Sequence, residues 1–226
     1  MATIAENLQA VRERIGRAAQ AARRDAQSVT LLAVSKTHSA ARISEAHAAG
    51  QRAFGENYVQ EALEKMSALP GLEWHLIGPL QSNKTRVAAE RFHWIHTIDR
   101  EKIARRLSEQ RPAELGPLNV LIQFNVSGEQ TKSGAAPREL RALAAVVAAL
   151  PRLRLRGLMA IPEPGAPRER YAQAHEAFEA LRAEHAVDTL SMGMSDDLEL
   201  AIAEGATMVR IGTAIFGARR REKHAA

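Results

Sequence analysis

Short apolar, β-branched runs alternate along the chain with longer amphipathic, alanine-rich stretches. The short runs are VTLLAVS (29–35), RAFG (52–55), EWHLIG (73–78), WIHTI (94–98), NVLIQFNV (119–126), RLRGLMAI (154–161), DTLSMGM (188–194) and TMVRIG (207–212). Each is too short for an ordinary helix and is bounded by Gly, Pro, Asn, Asp or Ser, so length decides for strands. Between them, residues 39–49, 56–69, 81–91, 100–110, 137–150, 167–186 and 196–204 repeat apolar positions at three- and four-residue spacing, which predicts helices. Strands buried on both faces and joined by helices form parallel sheets, and eight such units predict a single (β/α)8 barrel of TIM type. A doubly wound open sheet accepts the same alternation. It is disfavoured because no G-x-G-x-x-G follows the first strand and no G-x-x-x-x-G-K-[ST] occurs. A further helix over 3–24, with Ile4, Leu8, Val11 and Ile15 on one stripe, is expected to pack across an end of the barrel. The reading is one domain over 1–226, its first 25 residues that added helix and 219–226 a basic tail.

Composition narrows the class. Of 226 residues, 46% are hydrophobic and 25% charged, which fits a globular chain and excludes disorder as the main state. The absence of cysteine excludes disulfide scaffolds, thiolate metal sites, iron–sulfur clusters and cysteine nucleophiles together. Charges run through the first twenty residues and no long apolar run follows, so the protein is expected to be cytoplasmic, with no membrane association. The balance of 31 Lys+Arg against 26 Asp+Glu gives +5, a weak bias toward anionic partners. Arginines at 152, 154, 156 and 219–221 read as solvated surface. With 4% aromatic residues there are few stacking platforms, and no nucleic-acid partner is expected.

In a barrel of this type the chemistry belongs at the C-terminal strand ends. Lys36 follows the run Leu31 to Ser35 and so lies at the mouth. Partial desolvation there lowers an ammonium pKa, and the free amine becomes a nucleophile able to form a Schiff base with an aldehyde. Its bland alternative is a loop lysine reaching solvent. The last two strand ends run through Gly193, Met194 and Ser195, and through Gly212 and Thr213, into helical stretches. Both offer backbone N–H groups and a hydroxyl at a helix start, and the loops after strands seven and eight are the recurrent phosphate site of such barrels. Ordinary capping, with Asp196 and Glu199 as a capping box, is the competing account. Arg210, between Val209 and Ile211 on strand eight, needs a buried partner, for which a ring nitrogen is an economical answer. Pyridoxal 5′-phosphate has an aldehyde, a phosphate and a pyridine nitrogen in one molecule.

The stretches LLAVSKT, FGENYVQEALEK, WHLIGPLQSNK, TIDR, LIQFNVS with TKSG, LRGLMAI, LSMGMSDDLELAI and MVRIGTAIFGAR, spanning 31–219 in order, resemble the pyridoxal-phosphate homeostasis protein family (YggS/PROSC). The resemblance implies a monomeric barrel like the N-terminal domain of alanine racemase, with the cofactor held as a Schiff base on Lys36. It further implies phosphate contacts from Ser195, Gly212 and Thr213, Arg210 toward the pyridine nitrogen, Asn57 lining the pocket, and indirect effects on amino-acid pools. An always-charged guanidinium offers only donors, which leaves the ring nitrogen unprotonated and the cofactor a weaker electron sink. Barrel-type racemases and decarboxylases carry an additional β-domain for which this chain has no residues. The expected function is therefore storage and transfer of pyridoxal phosphate, with dependent enzymes as transient acceptors and no turnover of its own. The alternatives are a minimal racemase-like enzyme using Lys36 as base, and a Schiff-base aldolase acting on a phosphorylated metabolite.

Other features carry less. His93 and His96 are expected on opposite faces of a strand, so a metal pair is disfavoured and polar packing preferred. Lys84 and Lys132 match family motifs without an assigned role. Met192 reads as core, Met194 as a neighbour of the phosphate loop, and Tyr58 as a residue within reach of the pocket.

Overall fold

The computed structural model describes residues 2–127 and 133–217, so the tail read at 219–226 and Lys132 lie outside the described residues. Eight strands, β1 (Thr30–Val34), β2 (Ala53–Glu56), β3 (Glu73–Leu76), β4 (Trp94–Ile98), β5 (Leu118–Phe124), β6 (Leu153–Ala160), β7 (Thr189–Ser191) and β8 (Met208–Ile211), pair in chain order into a closed barrel. Every pairing is parallel, and β1 closes on β8 with Leu32 opposite Arg210 and Ala33 opposite Ile211. The expected barrel is the observed one. Its helices are α2 (Ala40–Ala48), α3 (Val59–Ala68), α4 (Thr85–Arg91), α5 (Glu101–Gln110), α6 (Pro137–Ala148), α7 (Arg168–Glu184), α8 (Leu198–Ala203) and the four-residue α9 (Thr213–Phe216).

The elements differ from the periodicity mainly at the mouth. Strand β7 stops at Ser191 and β3 at Leu76, because the next residues leave the ladder to form turns. The helix expected from 196 starts at Leu198, and the one expected from 56 starts at Val59, leaving Asn57 and Tyr58 in a loop. The stretch expected as one helix over 81–91 divides into a 3-10 turn, Ser82–Lys84, and α4.

The added helix is α1 (Ile4–Ala21), started by a capping box in which Thr3 and Glu6 satisfy each other's backbone N–H. Its stripe Ile4, Leu8, Val11 and Ile15 is buried, each side chain worth about 1.5–3 kcal/mol of removed apolar surface. It lies in the outer ring against α2, α8 and α9, a correction to the expected place across an end. It packs there beside α9, which is only four residues long. Asn7 donates from Nδ2 to the Ile215 carbonyl at 2.9 Å, and Arg14 pairs with Glu199 at 2.8 Å, fixing α1 there.

One apolar layer, including Phe54, Leu76, Ile95, Leu107, Phe178 and Ile211, fills the space between sheet and helices. A small second cluster of Trp94, Leu121 and Met159 is separate from it. Among the described residues no helix is long and apolar enough to cross a membrane.

Candidate functional site

Closure of the barrel makes β7, β8, β1 and β2 neighbours, which gathers the ends carrying Ser195, Gly212, Lys36 and Asn57 at one mouth. Arg210 arises from the middle of this set and is 4% exposed. Its Nη1 donates to the Ser191 carbonyl at 2.7 Å and to Ser191 Oγ at 2.9 Å, and Nη2 donates to the Ala160 carbonyl at 3.0 Å. These use three of the five guanidinium donors and leave two for a ligand. Among the described residues no carboxylate pairs with it directly, and burial lowers its pKa to about 10, so it is still a cation at neutral pH.

Lys36 follows β1 in a tight turn clamped from the helix side. The Ser35 N–H donates to the Gly55 carbonyl at 3.0 Å, continuing the ladder, and the His38 N–H returns to the Ser35 carbonyl at 3.1 Å. Thr37 takes φ 66°, a left-handed conformation that a β-branched residue adopts only when its surroundings impose it. The imposing group is Glu61, whose Oε1 accepts the Thr37 N–H. Beneath it, Lys65 Nζ donates to Glu61 Oε1 at 2.7 Å, to Glu56 Oε1 at 2.7 Å and to the Ser35 carbonyl at 2.8 Å. Ser35 Oγ donates to the same Glu56 oxygen at 2.6 Å. Burial pushes the Glu56 carboxyl up, opposed by Lys65 and Ser35.

The turns after β7 and β8 are joined to each other and to the lysine loop. Ser195 Oγ accepts the Ala214 N–H at 3.3 Å, so the hydroxyl stands at the first turn of α9, where backbone N–H groups have no intrahelical acceptor. His38 stacks on Phe216 with ring centroids 4.9 Å apart, and Arg42 Nη2 donates to the Phe216 carbonyl. Gly193 has φ +94°, and an added Cβ would lie 2.5 Å from Ala201 Cβ, so this turn requires glycine. Thr213 is exposed, with Ser195 and Gly212 partly so. The capping box expected of Asp196 and Glu199 gives way to a different arrangement. Glu199 turns to Arg14, while Asp197 accepts the Met194 N–H through Oδ1 and the Tyr171 hydroxyl through Oδ2 at 2.6 Å.

Asn57 lies at the mouth, its carbonyl so close to Gly78 that a Cβ on Gly78 would sit 2.1 Å from the oxygen. Met194 is 37% exposed beside Ser195, and Met192 is core. Tyr58, which follows Asn57 in the same loop, is 61% exposed. His93 accepts the Trp74 N–H through Nδ1 at 3.1 Å, whereas His96 lies buried against His75, so the two make no pair. Among the described residues no cluster of His, Cys, Asp or Glu could hold a metal ion. Sequence reasoning missed Glu56, Glu61, Lys65, Asp197 and Tyr171. The one available signal was the acidic FGE run ending β2, since a buried strand end should not carry an unpartnered carboxylate.

A parallel eight-stranded barrel with a lysine after its first strand and an arginine on its last defines a class, and the family described as alanine racemase, N-terminal domain, matches residues 6–220. Within that class the chain is 65% identical, over 97% of each chain, to the pyridoxal phosphate homeostasis protein of Pseudomonas aeruginosa. The chain belongs to the pyridoxal phosphate homeostasis protein family. Among solved structures, PipY of Synechococcus elongatus with pyridoxal phosphate bound is 40% identical, with TM-score 0.83, covering 95% of this chain and 100% of that one. Alanine racemase of Corynebacterium glutamicum, 19% identical with TM-score 0.75, shares the fold over 98% of this chain and 62% of its own.

Proposed function

We propose that this protein binds pyridoxal 5′-phosphate at the barrel mouth and acts in its intracellular homeostasis, storing the cofactor and passing it on without turnover of its own. The observation that carries the reading is the convergence of a mouth lysine, two linked hydroxyl-bearing turns and an arginine with unspent donors. That donor set fits the ligand's aldehyde, phosphate and ring nitrogen. Support comes from the family and from the pyridoxal phosphate bound to the related PipY.

In this reading Lys36 is the residue that would hold the ligand, its Nζ bonding the aldehyde carbon with loss of the carbonyl oxygen as water, and another amine or water would take the ligand from it. Bound pyridoxal phosphate supplies a reactive carbonyl and an electron-withdrawing ring. Ser195, Gly212 and Thr213 hold the phosphate, Asn57 and Met194 line the pocket, and Arg210 faces the ring nitrogen. Because an arginine only donates, it keeps that nitrogen unprotonated, which suits carriage better than carbanion chemistry. Dependent enzymes would be transient acceptors, and the carrier a monomer.

The test is the absorbance spectrum of protein loaded with pyridoxal phosphate, then borohydride reduction and peptide mass mapping, beside Lys36→Ala. A near-visible band whose reduced adduct maps to Lys36 and is lost in the variant is expected. An equivalent adduct in the variant overturns the assignment, and amino-acid turnover abolished by Lys36→Ala would overturn carriage.

A further inference from the structure

The interior of an eight-stranded barrel is ordinarily filled by branched aliphatic side chains. Here buried His75, His96, Ser191 and Arg210 form a connected polar line across it. Ser191 Oγ accepts from Arg210 Nη1 at 2.9 Å and lies 3.4 Å from His96 Nδ1, the longest link. His96 Nε2 is 2.9 Å from His75 Nδ1, and His75 Nε2 is 2.7 Å from Glu73 Oε1. Glu73 opens β3, with its side chain 48% exposed at the barrel's opposite end. The line therefore runs from the ring-facing arginine to the closed end.

Its polarity follows from the donors. Arg210 can only donate, so the serine oxygen accepts, and an ionised Glu73 can only accept, so His75 Nε2 carries a proton. The alternative orientation of His96, with a proton on Nδ1, would require His75 to be doubly protonated, and burial opposes that charge. Every link then donates in one direction: arginine to serine, serine to His96, His96 Nε2–H to His75 Nδ1, and His75 Nε2–H to Glu73. Such a line joins a buried cation to a carboxylate without direct contact, and aligned hydrogen bonds polarise one another. Around it lie His93 near Glu73, Trp94 stacked on His75 at 5.2 Å, and Arg156 over the Trp94 ring at 4.6 Å.

We propose that Glu73, His75, His96 and Ser191 are positioning residues that orient Arg210 and set its hydrogen-bonding strength toward the ligand's ring nitrogen. This rests on the cofactor reading above, and it couples a side chain at the closed end to a ligand at the open one. The closed end is thus a place where charge can tune how tightly the cofactor is held.

The first test needs no ligand. Imidazole 15N resonances of the unloaded protein are expected to report neutral, Nε2-protonated rings for both His75 and His96, and an imidazolium or an Nδ1–H tautomer on either overturns the line. The second uses pyridoxal phosphate labelled with 15N in the ring. Ser191→Ala is expected to weaken retention about tenfold and move the ring-nitrogen resonance. Glu73→Leu, at a half-exposed site, should change both in the same direction by about threefold in affinity, and Glu73→Gln, which keeps an acceptor, should restore part of the loss. Unchanged affinity and resonance in Ser191→Ala and Glu73→Leu would sink the proposal while leaving cofactor binding intact. Failure of the wild type to bind would instead remove the cofactor reading and with it this role.

Discussion

Replacing Lys65 by Met tests whether the ion cluster under the lysine loop holds that loop in place. Lys65 is 7% and Glu56 0% exposed at the side chain, and the ammonium is the only cation bonded to Glu56 among the described residues. Glu56 Oε2 already has no hydrogen-bond partner, so loss of the ammonium leaves a buried carboxylate with the Ser35 hydroxyl alone. Removing one partner of a buried pair costs about 3–5 kcal/mol, a large share of the roughly 5–15 kcal/mol that holds an ordinary domain folded. The sign of the pH dependence follows. Glu56 is already raised above its usual 4.5 by burial, and without Lys65 it rises further. A carboxyl raised in the folded state is stabilising below its unfolded pKa and loses that contribution as pH climbs toward the folded value. The deficit of the variant should therefore be larger at pH 8 than at pH 5, growing by up to about 1.4 kcal/mol per pH unit crossed in that window. Urea unfolding of both proteins at the two pH values measures it, and adding Glu56→Gln should recover about 2 kcal/mol or more by removing the stranded charge. A loss below about 1 kcal/mol that is equal at both pH values would refute the reasoning, because the pair would then behave as an exposed one.

The remaining predictions concern acid and the turn after β7. Burial holds His75 and His93 below the usual 6.5 and His96 well below it, so the unfolded chain takes up protons that the folded one refuses. Stability should be flat above pH 6.5 and fall below it, by up to about 1.4 kcal/mol per pH unit for each histidine. The measurement belongs in a Glu56→Gln background, since the raised carboxyl works in the opposite sense, and an unfolding midpoint unchanged between pH 6.5 and 5 would contradict it. Tyr171→Phe removes the bond to Asp197, the residue that also fixes the Met194 N–H. A loss of about 1–2 kcal/mol is expected, with weaker retention of pyridoxal phosphate but attachment still at Lys36, followed by unfolding and by titration.

The barrel was legible because strand-length apolar runs and helical periodicity alternate without interruption, and strand-end position then made Lys36, Ser195, Gly212 and Thr213 stand out. Arg210 was legible for a different reason, being a charge inside an apolar run. The supports were not legible. Glu61 and Lys65 are four apart on α3, a spacing that reads as an exposed helix pair, and their burial depends on Glu56 arriving from β2. His75 and His96 lie 21 residues apart and meet only because β3 and β4 pair side by side, and Tyr171 and Asp197 lie 26 apart. Asp196 and Glu199 had the better local capping pattern, yet Arg14 from α1 claims Glu199, a contact that no local window contains.

The two groups proposed to meet the ligand's reactive ends are braced from opposite sides of one sheet. Lys36 is held from the helix layer, where Lys65, Glu56 and Glu61 sustain the left-handed turn at Thr37. Arg210 is held from the barrel interior by Ser191 and the Ala160 carbonyl. Among the described residues, the bonds that hold Lys65, Glu56 and Glu61 and those that hold Arg210 have no partner in common, although β1 and β8 are adjacent strands in register at Leu32 and Arg210. A strained lysine loop can thus be kept in place without fixing the arginine, and the proposed tuning of the arginine along its own line would leave the proposed covalent anchor undisturbed. On the proposed carrier reading that separation has a physical use: Lys36 would determine whether cofactor is attached, while Arg210 and the turns after β7 and β8 would determine how readily it leaves.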